Sequence, residues 1–151
     1  MPVIRAGQKV PAFSLARHEG EPFTHEDLAG RMTVLIFYPF AFSPVCTDQL
    51  AVYNDVLDDF QRQGAMLYGV SCDATWSQQA FMHRLGVEIE QLSDFEPKGR
   101  TCEAFGVLHP GGYAERAIVV VGPDLVVRWS HESESLDELP GANLIFDALQ
   151  A

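Results

Sequence analysis

The segment PFAFSPVCT (39–47) directly follows the apolar run MTVLIFYP (32–39) and sets Pro39, Ser43 and Cys46 at fixed spacing. A cysteine placed there suits nucleophilic thiol chemistry. Ser43 and Pro44 are the residue types favoured at a helix N-cap and first helical position, so Cys46 falls in the first turn of a helix. Unpaired backbone N–H groups and the positive end of the helix dipole favour a thiolate there. A free thiol near ~8.5 is only about 3% ionised at pH 7, and moving a thiol to about 6 takes about 3.4 kcal/mol. A helix terminus supplies ~0.3–1 kcal/mol and at best about 2. A further partner is therefore required, and a hydrogen bond to a charged group contributes ~1.5–3 kcal/mol. The Ser43 hydroxyl is one source. Arg116, immediately ahead of AIVVV, is the best-placed cation, with Arg128 in the facing strand as its substitute. Gln49, one turn along from Cys46, either hydrogen-bonds near the site or faces solvent.

The elements that must position these residues follow from periodicity. Residues 13–28 read as two short extended segments around His18-Glu19-Gly20, an edge hairpin, with a helical turn ending at Gly30. Residues 32–39 are a β-branched and aromatic run typical of a strand buried on both faces, and Pro39 ends it. Between Pro44 and Phe60, Val45, Leu50, Val52, Tyr53, Val56, Leu57 and Phe60 recur at helical spacing. AMLYGVS (65–71) is a second buried strand, and residues 75–86 a helix with Thr75 as its cap residue and Gly86 as its stop. Residues 97–107 hold a short helix. RAIVVVG and LVVRWSHE form a hairpin across Gly122-Pro123-Asp124, and residues 143–150 a closing helix. The order predicts an α/β, thioredoxin-like fold, a mixed central sheet flanked by helices. A right-handed crossover from strand 32–38 to strand 65–71 puts Cys46 at the carboxyl edge of that sheet, where open α/β sheets bind ligands.

Composition narrows the function classes. The chain has 151 residues, 47% of them hydrophobic, and no repeat or linker divides it, so residues 1–151 read as a single domain. A formal net charge of −11 argues against a nucleic-acid binder, which needs clustered cations. No stretch reads as a signal peptide or membrane span, so a soluble, cytoplasmic protein is expected. Cys46, Cys72 and Cys102 are too few and too far apart for a disulfide scaffold. There is no Cys-x-x-Cys or His-x3-His pattern, and the five histidines are scattered, so no metal and no cofactor is expected.

Pro39, Ser43 and Cys46 match the Pro-x3-Thr/Ser-x2-Cys pattern of the peroxiredoxins, and FYPFAFSPVCTDQL (37–50) resembles their active-site segment. Arg116 in ERAIVVVGPDLVVRW matches the arginine that precedes a late strand in that family, and the resemblance runs from GQKVPAFSL to the last helix. It implies a thiol-dependent peroxidase that reduces hydrogen peroxide and organic hydroperoxides through a sulfenic acid on Cys46. Arg116, Ser43 and the backbone N–H groups near residues 45 and 46 would hold the developing charge, while Pro39 would pack over the thiolate and limit water. Ala51 stands where a bacterioferritin-comigratory-protein subgroup carries a resolving cysteine, so the chain looks most like the one-cysteine, alkyl hydroperoxide reductase E-like branch. That implies recycling by an external thiol or by a thioredoxin- or glutaredoxin-like reductant, and a homodimer.

Simpler readings compete. Cys46 can be an inert core thiol, Ser43 only a cap, Pro39 only a strand stop, and Arg116 a surface cation paired with Glu115 or Asp124. Cys72 and Cys102 read by default as small buried hydrophobes, although Cys72 at the end of its strand is a candidate partner for Cys46. Phe40, Phe42 and Trp76 divide between core, pocket and dimer interface. The acidic tract at 131–139 reads as a solvated loop. The alternative function is a redox sensor or interaction module with little turnover.

Overall fold

Strand-forming runs and amphipathic runs alternate along this chain, and the computed structural model, which describes residues 2–133 and 141–150, turns that alternation into a layered fold. Ser14–Leu15 (β1) and Phe23–Thr24 (β2) pair antiparallel. Five longer strands follow: Met32–Phe37 (β3), Ala65–Ser71 (β4), Glu90–Ser93 (β5), Ala117–Val121 (β6) and Val127–Glu132 (β7). Their spatial order is β5-β4-β3-β6-β7. β3 runs parallel to β4 and β4 to β5, whereas β6 runs antiparallel to both β3 and β7. This is the mixed, thioredoxin-like α/β sheet expected from the order of elements.

The helices are Pro44–Asp55 (α1), Leu57–Arg62 (α2), Thr75–Leu85 (α3), Arg100–Ala104 (α4) and Ala142–Gln150 (α5). Because side chains alternate along a strand, the sheet sorts its residues into two cores. Val34, Ile36, Ile118 and Val120 pack with Leu50, Phe60, Phe81 and Ile145 of the helices. On the opposite face Leu35, Phe37, Val70 and Val119 pack with Phe13, Phe23 and Phe105. Cys46 belongs to the first core, and Cys72 and Cys102 to the second.

Several local expectations need correction. The helix read over 44–60 is two helices, because Val56 adopts φ −114° and ψ 14° and its N–H bonds to the Tyr53 carbonyl at 3.2 Å, one residue short of the α-helical step. A β-branched residue after Asn54-Asp55 has little propensity to resist that tightening. The cap residue of α3 is Ala74, extended at φ −66° and ψ 153°, so Thr75 is already helical and no side chain caps this end. The β1–β2 hairpin is a separate sheet that meets the outer strand β5 through an Ala16–Ser93 bridge. β5 itself lacks an apolar alternation, since buried Gln91 and Ser93 occupy core-type positions. Gln91 fits because Gly69 lies beside it: a Cβ on Gly69 would collide with the Gln91 amide. The Tyr38 hydroxyl donates to Gln91 Oε1 at 2.6 Å. From residue 134 the acidic tract lies outside the described residues. Among the described residues no helix is long and apolar enough to cross a membrane.

Candidate active site

The end of β3 delivers the segment that carries the cysteine. Tyr38 still donates its N–H to the Val70 carbonyl at 3.0 Å, and Pro39, which has no N–H, ends the pairing and is buried. Phe42 then takes φ +70°, a left-handed conformation that a bulky side chain rarely adopts and that costs about 1–3 kcal/mol. That reversal brings Ser43 to the N-cap of α1 at φ −69° and ψ 148°, with Pro44 at the first helical position. The Ser43 hydroxyl makes no cap hydrogen bond, so Ser43 caps by backbone conformation and not by its side chain.

Cys46 occupies the first turn of α1 and is fully buried. Strand pairing explains which cation meets it. In the antiparallel register Phe37 at the end of β3 lies opposite Ala117 at the start of β6, so the residue just before β6 arrives beside the α1 N-terminus. That residue is Arg116. It is 2% exposed, and its Nη2 donates to Cys46 Sγ at 3.3 Å. Its Nη1 donates to Gln49 Oε1 in a short hydrogen bond, and Gln49 Nε2 reaches the Tyr53 hydroxyl at 3.4 Å. Burial pushes the Tyr53 phenol up, opposed by the Gln49 hydrogen bond and by the Arg116 charge. Burial likewise pushes the Tyr38 phenol up, and Asp73 and Cys46 add to that rise.

The guanidinium is thus held by a sulfur on one side and an amide oxygen on the other. A buried cation needs such hydrogen-bond acceptors. Arg116 is therefore no surface residue paired with Asp124. Asp124 instead meets Arg128 at 3.0 Å on the exposed hairpin, which takes Arg128 out of contention. Gln49, left open by the sequence, is fully buried and aims Arg116.

Sequence reasoning missed Asp73. Its Oδ2 accepts the Ala41 N–H and the Ser71 hydroxyl, each at 2.8 Å, which ties the 39–43 segment to the end of β4. An Asp two residues beyond a buried strand was the available signal. Phe40, Phe42 and Trp76 are not core: they are exposed by 48%, 49% and 78%.

The other two cysteines lie together on the far face of the sheet. Cys72 directly follows β4, Cys102 sits in α4, and Asp94 follows β5. Their two sulfurs and a carboxylate oxygen all lie within 4.8 Å of one another.

Comparison with known proteins bears on the whole chain. Residues 6–130 match the model of the AhpC/TSA family. A Coxiella burnetii protein bearing the name peroxiredoxin bcp is 33% identical over 105 residues, which cover 70% of this chain and 68% of that protein. A 1-Cys peroxiredoxin of Medicago truncatula is 26% identical over 141 residues, covering 86% of this chain and 65% of that one. The chain thus spans about two thirds of the length of these relatives. Among solved structures, peroxidoxin BcpB from Mycobacterium tuberculosis superposes with a TM-score of 0.85 at 27% identity, covering 97% of both chains.

Proposed function

Because this chain belongs to the AhpC/TSA family, as a peroxiredoxin and hence a thiol-dependent peroxidase, we propose that Cys46 is the thiol that attacks the peroxide. The observation that carries the assignment is the buried Arg116 guanidinium 3.3 Å from Cys46 Sγ, at the first turn of a helix. Both put positive charge beside the sulfur that takes part in the attack.

The Cys46 sulfur attacks one peroxide oxygen along the O–O axis. An S–O bond forms, the O–O bond breaks, and the leaving oxygen takes a proton and departs as water or an alcohol. Charge then lies on sulfur and both oxygens. Arg116, the Ser43 hydroxyl, which is not engaged in capping, and the backbone N–H groups at the start of α1 would hold it, a role that the Arg116 contact with Cys46 supports. Burial of Cys46 and Pro39 keeps water away, so these interactions act in a low dielectric. Gln49 and Asp73 position: Gln49 aims the guanidinium, and Asp73 fixes the segment leading into the helix.

An external thiol completes the cycle. It attacks the sulfenic sulfur and expels water, and a second thiol equivalent then attacks the mixed disulfide and restores Cys46. Ala51 and the placement of Cys72 on the opposite face both support an external reductant. We place the protein in the cytoplasm, as a single-domain subunit of a homodimer.

The test is peroxide consumption with a small thiol or a thioredoxin-like reductant. In a background with Cys72 and Cys102 replaced by Ala, Cys46→Ser is expected to abolish turnover, while Cys72→Ser and Cys102→Ser with Cys46 intact keep the first oxidation. Full activity of Cys46→Ser in that background refutes the assignment. One stoichiometric oxidation of the wild type with no turnover by any reductant supports the sensor reading instead.

A further inference from the structure

Cys72, Cys102 and Asp94 form a buried cluster that the proposed peroxidase cycle does not use. Cys72 is 6% exposed, Asp94 3% and Cys102 not at all. Asp94 is locked from two sides, since its Oδ1 accepts the Thr101 N–H at 3.0 Å and its Oδ2 the Cys102 N–H at 2.8 Å. Two sulfurs and a fixed carboxylate thus converge within 4.8 Å, from the ends of β4 and β5 and from α4. Sequence separation hid this pair, as no Cys-x-x-Cys spacing announces it.

We propose that Cys72 and Cys102 are a second redox centre, a dithiol that a peroxide converts to an intramolecular disulfide, with Asp94 taking the proton of Cys102. The two thiols differ in access, 6% against 0% exposed, and one fixed carboxylate lies within 4.8 Å of both sulfurs. The neighbouring Cys102 thiol lowers Cys72 toward the thiolate, while the Cys72 thiol, burial and the nearby carboxylate raise Cys102. Cys72, the more exposed of the two, is the attacking sulfur.

In the first step the Cys72 sulfur displaces an alcohol or water from the peroxide and becomes a sulfenic acid. In the second, the Cys102 sulfur attacks Cys72, the S–O bond breaks, and the expelled hydroxide leaves as water with the proton that Asp94 has taken from Cys102. The two thiols lose two electrons in total and the O–O bond gains them. Burial pushes the Asp94 carboxyl up, which suits it to receive a proton. A small thiol or dithiol reverses the reaction by exchange.

This second centre lies on the opposite core from Cys46, so it can be tested without Cys46. The Cys46→Ser protein is treated with hydrogen peroxide, its remaining thiols are counted, and its intact mass and peptides are measured. Expected is loss of both thiols, a mass lower by about 2 Da for two hydrogens, and a linked Cys72–Cys102 peptide. Dithiothreitol restores both thiols. In Cys46→Ser with Cys102→Ala, a dione reagent is expected to trap a sulfenic acid on Cys72. Two unreacted thiols in Cys46→Ser, or oxidation of Cys72 to a sulfinic acid with Cys102 still free, overturns the proposal. Neither result touches the role of Cys46, which is read from turnover with Cys72 and Cys102 both replaced by Ala and Cys46 either intact or changed to Ser.

Discussion

Replacing Arg116 by Met keeps most of the side-chain volume and removes the charge and the guanidinium hydrogen bonds to Cys46 and Gln49. The magnitude follows from the bond to sulfur. A hydrogen bond to a charged group contributes ~1.5–3 kcal/mol, and the bond from Nη2 reaches the Cys46 sulfur on which charge shifts in the transition state. At about 1.4 kcal/mol per tenfold in rate, Arg116→Met is expected to slow oxidation of Cys46 by about 10-fold to about 150-fold. The assay is single-turnover loss of the Cys46 thiol under excess hydrogen peroxide, in a background with Cys72 and Cys102 replaced by Ala. Circular dichroism checks that the variant is folded at the assay temperature. Arg116→Lys, which keeps a charge but not the fork that joins sulfur and amide, should fall between wild type and Met. If the rate of Arg116→Met stays within about twofold of the wild type, a shift of under ~0.5 kcal/mol, the reasoning from the buried ion contact fails.

Other residues give independent tests. Gln49→Leu leaves a buried guanidinium N–H without its amide partner and should lower stability by about 1–3 kcal/mol in urea melts, while slowing Cys46 oxidation less than Arg116→Met does; faster oxidation would refute the aiming role. Asp73→Ala removes two 2.8 Å hydrogen bonds and is expected to cost about 1–2 kcal/mol of stability and several-fold in oxidation rate, and a rate equal to wild type would remove Asp73 from the site. Gly69→Ala pushes the Gln91 amide away from the Tyr38 hydroxyl; overpacking of this kind typically costs ~1–3 kcal/mol, read as a lower denaturation midpoint. A lowered Cys72 keeps its thiolate to lower pH than an ordinary thiol, and a raised Cys102 stays protonated to higher pH. In Cys46→Ser, iodoacetamide below about pH 8.5 should therefore modify Cys72 and spare Cys102, and equal labelling of the two would contradict that polarity.

What could be read from the sequence divides by the range of the interaction. Pro39, Ser43 and Cys46 lie in one short segment whose chemistry depends on a strand stop and a helix start, both local signals, and they fall where the spacing puts them. Arg116 was legible for a different reason: a cation at the mouth of a β-branched strand is carried to the β3 edge whenever that strand pairs antiparallel beside it. The break at Val56 and the start of α3 at Ala74 are one-residue matters of backbone conformation, below what periodicity resolves. β5 escaped notice because tertiary contacts, Gln91 to Tyr38 and Ser93 to the Asp73 carbonyl, satisfy polar side chains at positions where a pattern reader looks for apolar ones.

The same distinction governs the two thiol sites. A strand-buried sheet sends successive side chains to opposite cores, so the loops leaving its carboxyl edge can serve either face. The loop after β3 enters α1 and delivers Cys46 to one core, whereas the loop after β4 begins with Cys72, which packs into the other. Cys72 next meets whatever the following elements bring to that face, namely Asp94 after β5 and Cys102 on α4. A cysteine at a strand end was visible in the sequence, but its partner depends on β5 pairing in parallel with β4. With that strand unrecognised, Cys46 was the natural partner to suspect. The register between β4 and β5, Ser71 opposite Ser93, is what carries Asp94 to Cys72 and draws α4 over both. A peroxide therefore meets two sulfur sites built differently: Cys46 lies beside a cation that an antiparallel pair carries to it, and Cys72 beside a carboxylate that a parallel pair carries to it.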